Sequence, residues 1–243
     1  MDFEWSIVRE ALPNLLDGTK MTVKITLWGL LWGFALGALA GVIRAYVPAF
    51  SQLFRRPPQG HSLASLLWAC LGAIVLLITN IYVMVIRGTP IVVQVMFIYF
   101  ALPMMVPGVR IDAEWAAIGT LIINSGAYIS EIVRGALLSV HKGLKEAGEA
   151  MGLPFYKILI HIIGPVAFRR MIPPLGNQCI ISLKDSSLFI VIGVAELTRQ
   201  GQEIMASNFR ALEIWSAVAI VYLILTGLIA FSLRMVEKRM RIL

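Results

Sequence analysis

The chain has 243 residues, of which 58% are hydrophobic and only 14% charged, with a mean hydropathy of +0.82 and a net charge of +7. A soluble domain carries about a quarter charged residues, so soluble and disordered readings are excluded. Long continuous apolar runs, in place of short alternating strands, exclude a membrane barrel and indicate an all-α integral membrane domain. The excess of Lys and Arg then reads as membrane orientation and not as a nucleic-acid surface. Cys70 and Cys179 lie in apolar runs, and His61, His141 and His161 lack metal-ligand spacing. No disulfide framework or metal site is readable from them.

A spanning helix needs roughly 20 mostly apolar residues. The first candidate is 20–46, from Lys20 past Arg44. Before it, Asp2, Glu4, Glu10 and Asp17 stand against Arg9. This acidic start lacks the basic region of a cleavable signal, so the span is expected to be permanent and 1–19 to form an outer segment. Gly29, Gly33, Gly37 and Gly41 recur every four residues. They are either a face for close helix packing or glycine merely tolerated in a membrane helix. The next apolar stretch runs from His61 to Pro107, interrupted by Arg87-Gly88-Thr89-Pro90. Further candidates are 113–139, 173–195 and 212–235, with a basic region at 140–172 and a polar one from Glu196 to Arg210.

Lys and Arg in short loops set orientation. The 43–62 loop holds Arg44, Arg55 and Arg56; 140–172 holds Lys142, Lys145, Lys157, Arg169 and Arg170; the tail holds Arg234, Lys238, Arg239 and Arg241. These three are expected to be cytoplasmic, which gives five crossings, the N-terminus outside and the C-terminus inside. Residues 63–86 are apolar enough to cross alone, and a sixth crossing would break that parity. With five, they are an extra helix in the inner leaflet, a dip into it, or an extension of the second span. The expected division is an outer segment 1–19, a transmembrane domain 20–235 containing 140–172, and a basic tail 236–243.

Within 140–172 the order is Glu146-Ala147-Gly148, three residues, Gly152, nine residues, then Ile162-Ile163-Gly164-Pro165. Lys145 to Met151 is expected to form a short helix that Gly152 stops, with Pro154 beyond. A short helix protruding into the cytoplasm can seat in a partner's groove, small residues allowing deep contact and Glu146 meeting a basic group. The bland alternative is a basic loop obeying the charge rule, but the full spacing favours docking. The pattern resembles the EAA motif of importer permeases of the ATP-binding cassette (ABC) class, with Gly148 at the third position and Gly164 in place of Leu.

The resemblance extends to Arg87-Gly88-Thr89-Pro90 with Gln94, to Asn124-Ser125-Gly126-Ala127-Tyr128-Ile129 with Glu131, Arg134 and Gly135, and to Lys184-Asp185-Ser186-Ser187-Leu188. These segments are similar to polar amino acid permeases, and Gly193 to Ala219 is most similar to bacterial glutamine permeases. The resemblance implies a type I ABC importer transmembrane domain of about five spans in the bacterial inner membrane. It implies an ABC ATPase subunit on the coupling helix, a periplasmic or lipid-anchored amino acid binding protein, and a second permease copy or a sister permease, the homodimer being favoured. The coupling residues would be Glu146, Ala147, Gly148, Gly152 and Pro165. The chain has no G-x-x-x-x-G-K-[ST] segment, so no cofactor is expected in it, and ATP would bind the partner ATPase. Membrane lipid is an expected neighbour and nucleic acid is not.

Substrate-path candidates follow from the cost of polar groups inside spans. Thr120, Asn124, Tyr128 and Glu131 recur at helical spacing in one stripe. Gln178, Ser182, Asp185 and Ser186 form another. Gln94 follows Pro90 by one turn, where a helix start offers free N–H groups to a carboxylate. The structural alternative is an ion pair between Glu131 and Arg134, and interhelical hydrogen bonds for the rest. Arg134 and Lys184 are expected to be structural. The expected function is a non-enzymatic permease subunit importing a polar amino acid, glutamine foremost, driven by a partner ATPase. An ion-gradient secondary transporter is the alternative, but no internal repeat supports it. A non-transporting scaffold would not need the polar stripes.

Overall fold

The computed structural model describes residues 3–47, 63–106 and 108–240, and every regular element among them is helical. In chain order these are α1 (Trp5–Tyr46), α2 (Leu63–Gly88), α3 (Ile91–Met105), α4 (Ala113–Ser139), α5 (Lys142–Ala150), α6 (Phe155–Ile192), α7 (Leu197–Asn208) and α8 (Ala211–Met240). Among the described residues, 5 helices are long and apolar enough to cross a membrane: α1, α2 from Leu67, α4, α6 and α8. Arg55, Arg56, His61 and Arg241, expected in loop and tail, lie outside the described residues.

The glycine row is a packing face. Gly29, Gly33, Gly37 and Gly41 meet Leu121, Ser125, Ile129 and Val133 of α4, in the same order. The two helices therefore run in the same direction. Small residues let the backbones approach closely in lipid, and Ser125 Oγ donates across the seam to the Gly29 carbonyl at 3.3 Å.

This parallel pair resolves the second span. Two helices crossing in one direction require a single net crossing between them. α2 begins its contacts beside the end of α1, where Arg44 Nε donates to Asn80 Oδ1 at 2.8 Å. α3 then continues toward the start of α4, with Ile91 and Val95 packed among Ala116, Ala117 and Leu121. Together α2 and α3 make one crossing, broken at Thr89 and Pro90. Residues 63–86 are thus an extension of the second span, and the six-crossing arrangement is contradicted. Proline lacks an N–H and disfavours helix at the residue before it, which locates the break.

Four expected boundaries change. α1 starts at Trp5, so most of the expected outer segment is its first turns. The span expected at 173–195 begins at Phe155, so 140–172 is largely helical and not a loop. The span expected at 212–235 runs from Ala211 to Met240. The polar stretch from Glu196 is itself a helix, α7, capped by a buried carboxylate. Glu196 accepts from the Arg199 and Thr198 amides at 2.8 and 2.9 Å and from the Tyr222 hydroxyl at 3.0 Å. Burial pushes its pKa up, and those hydrogen bonds pull the other way.

α3 and α6 each contain a π turn, Phe97–Ala101 and Leu159–Ile163, just before Pro103 and Pro165. Proline's ring clashes with the carbonyl four residues back, and a wider turn removes that clash without ending the helix. Pro165, expected to close the docking motif, therefore sits near the start of the regular helix that carries α6 onward.

The apolar core lies in three clusters. One joins Ile25, Val95, Leu121 and Phe189 at the α3–α4 end. A second joins Ile129, Val133, Ile158 and Ala167 at the α5 end. The third packs Ala11 and Leu15 of α1 against Leu197, Ile214 and Val218.

Candidate functional site: a broken span and a protruding helix

The break between α2 and α3 leaves carbonyls without helical partners, and Gln94 serves them. Its Nε2 donates to Ile86 O at 2.8 Å and to Thr89 O and Oγ1 at 3.0 Å. Its Oε1 accepts from Asn124 Nδ2 at 3.0 Å. The side chain is therefore turned back into the break, tying it to α4. Nearby, the Tyr82 hydroxyl donates to Ile123 O at 2.7 Å. The stripe expected on α4 divides accordingly. Thr120 and Asn124 are buried, whereas Tyr128 presents its ring at the surface.

Glu131 is the hub of a cationic cluster. Arg44 Nη2 lies 2.7 Å from Oε1 and Arg87 Nη1 3.5 Å from the same atom. Arg134 reaches Oε2 through Nη2 at 2.8 Å and Nε at 3.0 Å. The expected Glu131–Arg134 pair is present, but it is one of three. Arg44 also donates to Ser130 Oγ at 3.2 Å. The guanidinium of Arg87 lies over the Tyr128 ring, 5.4 Å from its centroid. Three elements, α1, α2 and α4, converge on one carboxylate. Sequence reasoning placed Arg44 in a loop and Arg87 in a motif, and missed both as partners. The available signal was an arginine inside the long apolar stretch.

The second stripe stands apart. Gln178 donates to Ser182 Oγ of its own helix at 3.2 Å. Asp185 is half-buried and Lys184 exposed. Among the described residues, no hydrogen bond or ion pair joins Gln178 or Asp185 to the Gln94–Glu131 group.

At the end of the core that holds Ile129 and Val133, α5 projects between α4 and α6. His141 caps it, accepting from the Gly143 amide at 3.1 Å. Gly152 ends it at φ 72°, a backbone that glycine adopts without strain. Leu153 N donates to Gly148 O at 3.1 Å and Gly152 N to Glu149 O at 2.9 Å, the paired bonds of a Schellman stop. Glu146 and Ala147 are exposed. Gly148 faces inward, where a Cβ would stand 2.9 Å from Ile158 and 3.0 Å from Ile162. The small residues thus have two uses: Gly148 lets α5 lie on α6, and Ala147 leaves the outer face shallow.

Comparison with known proteins agrees with this architecture. The family described as binding-protein-dependent transport system inner membrane component matches residues 61–242. The glutamine transport system permease protein GlnP of Escherichia coli (strain K12) is 54% identical over 243 residues, 100% of both chains. The arginine transport system permease protein ArtQ of Bacillus subtilis (strain 168) is 35% identical over 164 residues, 68% of this chain and 74% of its own. The crystal structure of an amino acid ABC transporter with histidines aligns at a TM-score of 0.81 and 28% identity, covering 98% of this chain and 100% of its counterpart. The chain therefore shares its overall fold with a subunit of an amino acid ABC transporter. The chain belongs to the binding-protein-dependent inner membrane transport components: it is a multi-pass permease subunit of an ABC importer, and ATP hydrolysis falls to a separate subunit.

Proposed function

We propose that the chain imports glutamine across the bacterial inner membrane by alternating access, as two copies around one pathway, each seating one ATPase. The observation that carries the cargo is 54% identity over the full 243 residues to a glutamine permease. ATP is held by the ATPase pair, and this chain contributes no cofactor. A periplasmic or lipid-anchored binding protein delivers the amino acid at the face opposite α5.

The orientation has the N-terminus outside and the C-terminus cytoplasmic. Lys142, Lys145, Lys157 and Arg169 sit around α5 and the start of α6, and Arg234 and Lys238 near the end of α8. Five crossings put these groups on one face, and a basic face is the cytoplasmic one. Two copies supply the two docking helices that an ATPase pair needs, and twofold closure is the commonest assembly. Gln94, Asn124, Tyr128 and Glu131 belong to the polar route, and Gln178 and Asp185 extend it along α6. Glu146 and Ala147 form the contact with the ATPase, Gly148 and Pro165 set the pose of α5, and Gly152 ends it.

Reconstitution tests the whole reading. Proteoliposomes with this chain, its ATPase and the binding protein are expected to accumulate glutamine only with ATP. Uptake driven by an ion gradient alone overturns the ABC mechanism, and uptake appearing only after a second permease is added replaces the homodimer by a heterodimer.

Coupling is tested separately. Gly152→Leu forces an L side chain into a left-handed backbone, a cost of about 1–2 kcal/mol, and shifts the end of α5. Glu146→Lys reverses charge on its exposed face. Each is expected to lower ATP-driven uptake about tenfold while membrane levels stay unchanged. Normal uptake with normal ATPase co-purification by both variants removes α5 from the coupling path.

A further inference from the structure

The geometry points to Arg87 as the receptor for the cargo's α-carboxylate, a site on the transport route made by its guanidinium and the face of Tyr128. The inference rests on the amino acid permease reading above and names the chemistry of that route.

Three guanidiniums share one carboxylate, so the cluster carries an excess of two positive charges. The three are not equivalent. Arg44 is only 12% exposed and is engaged by Glu131, Asn80 and Ser130. Arg134 holds Glu131 through both Nε and Nη2. Arg87 is 43% exposed, touches Glu131 only through Nη1 at 3.5 Å, and otherwise lies over the Tyr128 ring. Among the described residues it has no other ion pair. A guanidinium presents a planar fork that matches a carboxylate in two parallel hydrogen bonds.

The route decides what that carboxylate belongs to. Tyr128 lies 15 residues after Ala113 and 11 before Ser139, near the middle of α4. Arg87 stacks on Tyr128 and pairs with Glu131, two residues of the polar route proposed above, and charged groups on membrane helices commonly mark such routes. Of the groups that pass along the route of an amino acid permease, the carboxylate of the cargo is the anion that a guanidinium fork fits. Glu131 then acts as a positioning residue: it holds Arg44 and Arg134 back and leaves Arg87 loosely tethered.

The test uses the permease–ATPase complex in lipid nanodiscs, without binding protein, and radiolabelled glutamine. Saturable binding is expected, displaced by unlabelled glutamine and not by a hundredfold excess of 4-aminobutanamide, which keeps the amine and the amide but lacks the carboxylate. Arg87→Gln is expected to raise Kd about tenfold or more, and Arg87→Lys by less, since a point charge replaces the fork. The competition arm uses the unmodified protein, so a folding defect in the variants cannot imitate the result. Displacement by 4-aminobutanamide equal to that by glutamine, or an unchanged Kd in Arg87→Gln, overturns the assignment. Glutamine uptake by the unmodified complex in proteoliposomes separates the two readings. With uptake intact, either failure sinks the Arg87 site alone; with no uptake, the glutamine reading falls and this site with it.

Discussion

Glu131→Leu is expected to prevent stable accumulation of the permease, not merely to slow transport. Removing one partner from a poorly solvated ion pair leaves uncompensated charge and costs about 3–5 kcal/mol. Here one carboxylate serves Arg44, Arg87 and Arg134, so its loss leaves three guanidiniums facing one another. Since folded domains are stable by only about 5–15 kcal/mol, the margin is largely removed. Glu131→Gln keeps an acceptor of the same shape and is expected to fall between. Arg44→Met with Glu131→Leu together is expected to recover part of the loss, because the most buried cation leaves along with the anion. The measurement is membrane yield and the thermal midpoint of the purified permease–ATPase complex. If Glu131→Leu melted like the unmodified protein yet failed to transport, Glu131 would act on cargo directly and not as a hub.

The parts of the fold that were legible in the sequence depend on neighbours close in the chain. The bounds of α4 match the mostly apolar stretch expected at 113–139, and the structure adds its cap, Asp112, which accepts from the Glu114 amide at 2.9 Å. The stop at Gly152 was legible because only glycine sits easily at φ 72°. The course of 63–86 was not, because apolarity looks the same in a full crossing and in half of a broken one. What decides it is the parallel seating of α1 on α4, a contact between residues some ninety positions apart. The start of α6 was missed for another reason. Lys157, Arg169 and Arg170 read as loop, yet they ride on a helix whose first turns lie at the basic face, with Arg170 donating to Ser139 O at 2.6 Å. The site shows the same division. Helical spacing placed Asn124, Tyr128 and Glu131 together on one helix, but the cations from α1 and α2 that complete the cluster arrive only through the fold.

The α1–α4 seam carries the last expectation, and it separates packing from helix propensity. A Cβ at Gly37 would stand 2.7 Å from the Gly126 carbonyl oxygen and 2.7 Å from Ile129 Cβ. One of these is backbone and the other is attached directly to it, so neither rotates away. Gly37→Ala therefore has to push the helices apart, a strain of about 1–3 kcal/mol, and Gly37→Leu more. That displacement would not stay local. The seam aligns Arg44 with Glu131 and sets the level at which Asn80 and Tyr82 meet α1 and α4. Gly135 and Gly227, in α4 and α8, have nothing within 4 Å of an added Cβ. At those two positions alanine removes only glycine's helix penalty and is expected to stabilise by about 0.5–1 kcal/mol. The expected order of thermal midpoints in detergent is thus Gly135→Ala and Gly227→Ala at or above the unmodified chain, Gly37→Ala several degrees below, and Gly37→Leu too unstable to purify intact. A Gly37→Leu variant that purified and melted normally would mean that α1 does not seat on α4 through this row, and the argument that α2 and α3 form a single crossing would lose its foundation.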